Sequence, residues 1–187
     1  MPYTFVLVPP TDLSLKYVNE SQRLFDDCNK DYRLTSDGTS SPHISIVQFD
    51  CESAEIAHTV WINMQRRLRE ENFQPFSPPF SGVAFVNGTG PYQETVWAEL
   101  SVDRGEENSP IMRVHSIAVE VVQAFGLKLL NACGNRFRPH LTLARITMPK
   151  EIKAWSEDLC LNPGNFNLEF GESDEKWQYA KTLGAYS

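Results

Sequence analysis

Two short segments of the sequence are near copies of each other, and each has the pattern of a β-strand. The first is Pro42-His43-Ile44-Ser45-Ile46 and the second is Pro139-His140-Leu141-Thr142-Leu143. Side chains alternate between the two faces of a strand, so each histidine shares one face with a hydroxyl, while the aliphatic side chains share the other. The proline before each histidine disfavours a helix. The chain is therefore predicted to bury two aliphatic faces and to present two imidazole–hydroxyl pairs.

The elements around the two motifs are predicted to follow the same order in both halves of the chain. Strand, helix, motif strand and helix describe residues 3–71, and the same order describes residues 94–159. A duplication with pseudo-two-fold symmetry would place the motif strands opposite each other across a shared cleft. We therefore expect one domain over residues 1–187, with two lobes and a C-terminal hairpin over residues 165–186.

Capping and turn residues locate several elements. Ser53 and Ser109 are predicted N-caps, and the second is followed by proline at the first helical position. Pro149 is predicted to open a last helix. Residues 29–41, just before the first motif, are rich in Ser, Thr, Asp and Gly, which predicts a mobile loop.

Charge and hydropathy limit the classes of partner. The 187 residues carry a formal net charge of −7, whereas proteins that grip long nucleic acids usually present a basic face. Long-duplex binding is therefore disfavoured, and a small nucleotide or short oligonucleotide stays open as the partner. No apolar run approaches the ~20 residues of a membrane span, and the N-terminal residues lack the features of a secretion signal. We expect a cytoplasmic monomer that does not bind membranes.

The cysteines and histidines are spaced unlike metal ligands. The four cysteines lie far apart, without a Cys-x-x-Cys pair, which is typical of reduced thiols and argues against structural zinc. Two histidines without a carboxylate cluster provide too few ligands for a typical catalytic zinc. We therefore expect no metal and no cofactor.

Two opposed histidines suit general acid–base catalysis on a phosphodiester. A neutral imidazole can take a proton from the attacking hydroxyl or water, and an imidazolium can give one to the departing oxygen, because the unperturbed pKa of histidine, ~6.5, lies near working pH. Ser45 and Thr142 can donate hydrogen bonds to the non-bridging phosphate oxygens. The motifs therefore predict His43 and His140 as catalytic residues and the two hydroxyls as phosphate ligands.

With these motifs the sequence resembles the two-histidine (2H) phosphoesterase superfamily, whose mark is a His-x-Ser/Thr-x repeat in each half. Phe137 to Arg145 and Val96-Trp97-Ala98 are similar to its bacterial branch, the 2′-5′ RNA ligase-like proteins, as are the closing strands around 166–172 and 179–183. The resemblance implies a bilobal α+β fold, in which two antiparallel sheets form a V-shaped cleft with helices outside.

The resemblance also implies chemistry at 2′,5′ phosphodiesters or at 2′,3′ or 1″,2″ cyclic phosphates. In the family members that cleave oligonucleotides, the neighbouring 3′ hydroxyl attacks and leaves a cyclic phosphate. By that analogy His43 is the general base and His140 the general acid, and hydrolysis of a cyclic phosphate could exchange these roles.

Further side chains are candidates for base stacking or for the rim of the cleft. Tyr3 and Phe5 lie on the first strand, which neighbours the cleft in this family, and Tyr92 precedes the central strand. Each can stack on a base or pack in the core. Arg145 is at an odd offset from His140, which predicts the opposite strand face and a structural or rim role. His115 falls within a helix and is interpreted as a surface or packing residue.

The leading hypothesis is a metal-independent 2H-type phosphodiesterase acting on small RNA-derived or nucleotide substrates. The candidates are 2′,5′-oligoadenylates, 2′,3′-cyclic nucleotides, ADP-ribose cyclic phosphate and cyclic dinucleotides. One alternative is a non-catalytic RNA- or nucleotide-binding module. Another is 2′-5′ RNA ligation by reversal of the cleavage step, since the chain shows no lysine motif for nucleotidyl transfer.

Overall fold

A computed structural model describes residues 1–26, 28–35, 40–88, 93–147, 157–161, 163–174 and 177–187 of the chain. These residues form strands and helices in the following order: β1 (Pro2–Val8), α1 (Thr11–Leu24), β2 (Lys30–Arg33), β3 (Ile44–Asp50), α2 (Ala54–Glu70), β4 (Phe80–Asn87), β5 (Val96–Val102), α3 (Pro110–Ala124), β6 (Lys128–Leu129), β7 (His140–Ile146), β8 (Asn167–Ser173) and β9 (Tyr179–Ala185). The fold is of the predicted α+β class.

The strands of the described residues form a single antiparallel sheet in the order β4-β5-β7-β3-β1-β8-β9, with β2 paired to β7 and β6 paired to β3. Its two central strands, β3 and β7, pair only at Ile44 and Leu141. The sheet therefore has two halves that meet at this one pair of residues. They correspond to the two sheets expected from the resemblance, which here are joined into one. Each junction residue directly follows a motif histidine.

The two halves have corresponding connections. The order β1-α1-β3 in the first half matches β5-α3-β7 in the second, and each pair is extended by an outer strand, β8 or β4. Moreover, β2, which precedes β3, pairs with β7, while β6, which precedes β7, pairs with β3. This order is what a pseudo-two-fold duplication predicts. The duplication itself stays a prediction that superposition of the two halves would test.

Both predicted helix N-caps are confirmed. The Ser53 hydroxyl accepts a hydrogen bond from the Ile56 N–H at 3.3 Å, and the Ser109 hydroxyl accepts one from the Met112 N–H at 3.4 Å. Each bond satisfies a donor that has no partner within the first turn of its helix. Gly126 follows the end of α3 with a φ of +66°, a left-handed conformation that glycine adopts without a steric penalty.

An aromatic cluster fills the core of the first half. Tyr3 and Phe5 are buried, and their rings lie 5.6–5.9 Å from those of Phe49 and Phe170. Trp61 of α2 stacks on Phe170 at 5.7 Å. Of the two alternatives for Tyr3 and Phe5, core packing is confirmed and base stacking or a rim position is wrong, because their positions on β1 put them on the face opposite the cleft.

The segment before the first motif is more ordered than expected. Within the predicted loop over residues 29–41, Lys30–Arg33 forms β2 and pairs with β7. Tyr92 and most of the predicted last helix lie outside the described residues, and Glu157–Cys160 forms a turn of 3₁₀ helix. In the described ranges no helix is both long and apolar enough to cross a membrane.

Candidate active site

The two motif histidines are held by the main chain in the same way. Nδ1 of His43 lies 2.8 Å from the Ser41 carbonyl oxygen, and Nδ1 of His140 lies 3.0 Å from the Arg138 carbonyl oxygen. A carbonyl oxygen can only accept a hydrogen bond, so Nδ1 carries the proton in each ring. In its neutral form each imidazole therefore keeps its lone pair on Nε2, the nitrogen that can exchange a proton with a substrate.

Both histidines and both hydroxyl residues line one cavity of about 450 Å³. His43 and Ser45 approach it from the β3 side, and His140 and Thr142 approach it from β7. Because β3 and β7 pair only at Ile44 and Leu141, the cavity lies where the two halves of the sheet meet. The structure thus brings together the four residues that the repeated motif singles out.

A β-bulge follows the hydroxyl in each motif strand. Where β3 pairs with β1, the pairing moves from Ser45 to Val47 and leaves out Ile46. Where β7 pairs with β5, it moves from Thr142 to Ala144 and leaves out Leu143. An extra residue reverses the alternation of side chains beyond it. Gln48 and Arg145, each five residues beyond a motif histidine, are therefore brought to the same face as that histidine. The prediction that Arg145 lies on the face opposite His140 is wrong for this reason.

Arg145 is fully buried against the cleft wall. Its Nε donates to the Asp31 carboxylate on β2, 2.7 Å from both oxygens. Its guanidinium carbon lies 5.1 Å from the ring centroid of Trp97, within the range of a cation–π interaction. Arg145 thereby joins β2 to β7 and supports Trp97, which itself lines the cavity. These contacts support the structural role expected for Arg145.

A buried acid lies beside the second histidine. The Glu99 side chain is fully inaccessible to solvent and is paired with Arg138, whose Nη2 lies 3.2 Å from Oε2 of Glu99. The same carboxylate oxygen lies 3.7 Å from Nε2 of His140. A proton on Nε2 of His140 would therefore face a negative charge. Sequence reasoning missed Glu99, although its alternation with Trp97 and Ser101 along β5 could have placed it on the cleft face.

The first histidine is in a different environment. His43 is 7% exposed, and its ring centroid lies 5.5 Å from that of Tyr179. The pKa of His43 is lowered to about 4, chiefly by burial; the hydrogen bond to the Ser41 carbonyl opposes this shift, and the nearby charge of His140 adds to it. His43 is therefore neutral at pH 7. A neutral imidazole with its lone pair on Nε2 is suited to accept a proton.

His115 connects both motif segments to α3. Its Nδ1 donates to the carbonyl of Ile46, the bulge residue of β3, at 3.0 Å, and its Nε2 accepts from the Gly134 N–H at 3.0 Å. The ring stacks on Phe137 with centroids 3.8 Å apart. Burial lowers the pKa of His115. Its interpretation as a packing residue is therefore correct, and the contacts add a role in positioning both motifs.

The charge of the cavity differs from that of the whole chain. Of the described residues that line it, Arg136 and Arg138 carry positive charge and none is acidic, although the chain has a net charge of −7. In the described part of the chain no cluster of three or more His, Cys, Asp or Glu side chains could hold a metal ion. The cavity thus presents cations and hydrogen-bond donors to an anionic ligand.

No family model and no curated protein matches the sequence, but solved structures match the fold. E. coli LigT in complex with 3′-AMP gives a TM-score of 0.56 at 14% identity, covering 100% of this chain and 98% of LigT. A structure described as a phosphoesterase gives 0.54 at 14% identity, covering 98% and 95%. Kluyveromyces marxianus Usb1 gives 0.54 at 8% identity, covering 97% and 96%. The chain has the fold of the 2H phosphoesterases.

Within this 2H fold, several cavity residues carried no sequence signal of their own. Gln48 lies beyond a bulge that the sequence does not reveal. Trp177 belongs to no motif, yet it lines the cavity and is 44% exposed. Asn131, whose side-chain oxygen accepts from the Gln48 N–H at 2.8 Å, lies in a connector. The sequence motifs therefore define the centre of the site but not its periphery.

Proposed function

We propose that this protein is a phosphodiesterase in which His43 and His140 transfer protons on opposite sides of one phosphate group. The observation that carries the proposal is the matched arrangement of the two rings. Each donates Nδ1–H to a main-chain carbonyl two residues earlier, and both line the same cavity beside a hydroxyl residue. Proton transfer on both sides of one phosphate needs two imidazoles with Nε2 available, and a hydrogen bond that fixes the proton on Nδ1 leaves Nε2 available in each ring.

In the proposed reaction His43 is the general base and His140 the general acid. Nε2 of His43 takes the proton of the attacking hydroxyl as its oxygen bonds to phosphorus. The bond from phosphorus to the departing oxygen breaks, and that oxygen takes a proton from Nε2 of His140. The lowered pKa of His43 and the carboxylate of Glu99 beside His140 both support this assignment over the reverse one.

The remaining polar groups stabilise the charged phosphate. Ser45 and Thr142 can donate to the non-bridging oxygens, on which negative charge increases in the transition state. Arg136 and Arg138 line the same cavity and attract an anion to an otherwise acidic protein. Proton transfer by two imidazoles requires no metal ion, so we propose a metal-independent reaction.

The proposed substrates are small RNA-derived molecules or nucleotides with a 2′,5′ linkage or a 2′,3′-cyclic phosphate. A cavity of about 450 Å³ is within the usual range for small-molecule sites. Structures of E. coli LigT, which shares the fold, contain 3′-AMP, phosphate or ATP. An attacking 3′ hydroxyl next to a 2′,5′ linkage would leave a 2′,3′-cyclic phosphate as the product.

The test is a substrate panel assayed in excess EDTA: 2′,5′-oligoadenylates, 2′,3′-cyclic nucleotides, ADP-ribose cyclic phosphate and cyclic dinucleotides. We expect at least one substrate to be cleaved, and His43→Ala or His140→Ala to lower kcat by a factor of about 10² to 10⁴. His58→Ala, an exposed histidine on α2, is the control. Cleavage that survives in the double variant would refute the assignment. Tight nucleotide binding without turnover would instead indicate a binding module.

A further inference from the structure

Two tryptophans line the cavity, one from each half of the sheet. Trp97 lies on β5, next to β7, and Trp177 lies in the turn between β8 and β9. Each is contacted by the residue that a bulge brings to the cleft face. The Arg145 guanidinium lies 5.1 Å from the Trp97 ring centroid, and Nε2 of Gln48 donates to the Trp177 carbonyl oxygen at 2.7 Å.

The backbone conformation of Trp177 is unfavourable, and hydrogen bonds within the turn hold it in place. Its φ is +66°, a left-handed value that bulky side chains rarely adopt, yet 44% of the side chain stays exposed. The turn is fixed by hydrogen bonds from the Trp177 N–H to the Asp174 carbonyl at 3.0 Å and from the Gln178 N–H to the Asp174 carboxylate at 2.8 Å. Core packing does not account for an exposed indole in a strained backbone, whereas strain of this kind is typical of functional sites.

The two tryptophans flank the histidine pair from opposite ends. Strands β3 and β7 run antiparallel from their junction at Ile44 and Leu141. Gln48 lies four residues beyond the junction along β3, and Arg145 lies four residues beyond it along β7, so the two residues diverge in opposite directions. The tryptophans that they contact therefore lie toward opposite ends of one cavity, with the motif histidines between them.

We propose that Trp97 and Trp177 are two base-stacking surfaces, so that the cavity takes a phosphodiester with one nucleoside on each side of the phosphate. The proposal rests on the proposed function for the position of the phosphate between His43 and His140. An indole ring stacks on any nucleobase, and such stacking contributes affinity without requiring a particular sequence. The site would thus prefer a linked dinucleotide to a mononucleotide cyclic phosphate.

The test uses a 2′,5′-linked diadenosine substrate and two analogues, each abasic in one of its two nucleosides. Trp177→Gly removes the ring and suits a positive φ; Trp97→Leu fills part of the same space without an aromatic face. Each variant is expected to raise KM for the full substrate about tenfold and to change kcat less than about threefold. Each variant should also bring the KM for the full substrate close to the KM for one of the abasic analogues. The analogue concerned should differ between the two variants. A merely structural role would raise KM for all three substrates alike.

Two controls frame these measurements. Trp97→Phe keeps an aromatic face and should keep KM within about threefold of the wild type. Phe125→Ala truncates an exposed aromatic side chain at the end of α3, outside the cavity, and should change nothing. If the tryptophan variants behave like Phe125→Ala, or if neither discriminates between the abasic analogues, the stacking proposal is overturned.

A binding measurement separates failure of this proposal from failure of the proposed function. A 3′-deoxy 2′,5′-diadenosine lacks the attacking hydroxyl, so its Kd can be measured by calorimetry without turnover. Tryptophan-dependent binding of this analogue, with no cleavage of any substrate in the panel, would support stacking and refute the phosphodiesterase. Cleavage without tryptophan dependence would do the reverse. Absence of binding of this analogue together with absence of cleavage across the panel would refute both.

Discussion

The carboxylate of Glu99 lies 3.7 Å from Nε2 of His140. The acid is fully buried and pairs with the partly exposed Arg138, and the Ser101 hydroxyl lies 3.5 Å from its Oε1. A buried carboxylate interacts strongly with a nearby positive charge because little solvent screens it. Glu99 is therefore placed to act on the protonated form of His140, the form that donates a proton to the leaving group in the proposed reaction.

Replacing Glu99 by glutamine should slow the reaction while keeping the shape of the side chain. We expect Glu99→Gln to lower kcat at pH 7 about tenfold, less than the roughly 10² to 10⁴-fold effect of losing a general acid itself, since the imidazolium loses its facing negative charge. Glu107→Gln removes an equal charge from an exposed site outside the cavity and should leave kcat unchanged. A Glu99→Gln variant with the kcat of the wild type would contradict this role.

His43 should make the folded state sensitive to acid. Its pKa is about 4 in the folded protein and ~6.5 when unfolded. Between these values the unfolded chain binds a proton that the folded chain does not, so the free energy of unfolding decreases as the pH falls. From pH 7 to pH 4.5 the wild type should lose about 2 kcal/mol more than His43→Asn. Urea unfolding at both pH values measures the difference, and equal losses would show that burial does not shift this pKa.

Arg145 should contribute to stability through packing and its ion pair. Arg145→Leu removes the pair with Asp31 and the contact with Trp97, and we expect it to lower the free energy of unfolding by about 2–3 kcal/mol. The Asp31 side chain is 41% exposed, so water solvates the carboxylate that remains and limits the loss. Arg23→Leu, which breaks an exposed pair with Glu20, should cost less than about 1 kcal/mol. Equal effects would argue against a special role for the buried arginine.

His115 should affect activity although it lies outside the cavity. His115→Ala removes hydrogen bonds to Ile46 and Gly134 and the stacking on Phe137, so we expect a loss of about 3 kcal/mol in the free energy of unfolding. Because the two motif segments lose a shared support, kcat should also fall, measured where the variant is still folded. His58→Ala is the matched control on α2. A variant that is destabilised yet fully active would limit His115 to packing.

The backbone conformation that places Trp177 at the cavity should lower the free energy of unfolding of the protein. Trp177→Gly removes a non-glycine residue from a φ of +66°, which relieves about 1–2 kcal/mol of backbone strain. The indole that it removes is 44% exposed, so fewer buried contacts are lost than at a core tryptophan. We expect a melting temperature equal to or above that of the wild type. A clear decrease would show that the indole stabilises the turn by packing.

The two motif strands could be predicted because their alternation and flanking prolines act over a few neighbouring residues. The helix caps at Ser53 and Ser109 could be predicted for the same reason. By contrast, β2 was expected to be loop, since Lys30–Arg33 is short and polar and forms a strand only by pairing with β7. β2 is stabilised by its pairing with β7 and by the Asp31–Arg145 ion pair. Both are contacts between residues far apart in the sequence, so the local pattern does not predict them.

The bulges at Ile46 and Leu143 explain the other main error. A bulge depends on the register with a neighbouring strand, and nothing within His140–Ile146 distinguishes a bulged strand from a regular one. Strict alternation therefore gave the wrong face for Arg145 and hid the place of Gln48 in the cavity wall. The periphery of the site depends on this geometry, whereas its two histidines precede the bulges and could be placed correctly.

The anchors of the two rings are peptide carbonyls, and this has a consequence for variation among sequences. A substitution at Ser41 or Arg138 replaces a side chain but leaves the carbonyl oxygen that fixes the tautomer of His43 or His140. The Ser41 position is therefore free to change in size and charge, and so to adjust which ligands approach, whereas the Arg138 side chain is held by its pair with the buried Glu99. In both cases the tautomer of the imidazole is inherited intact.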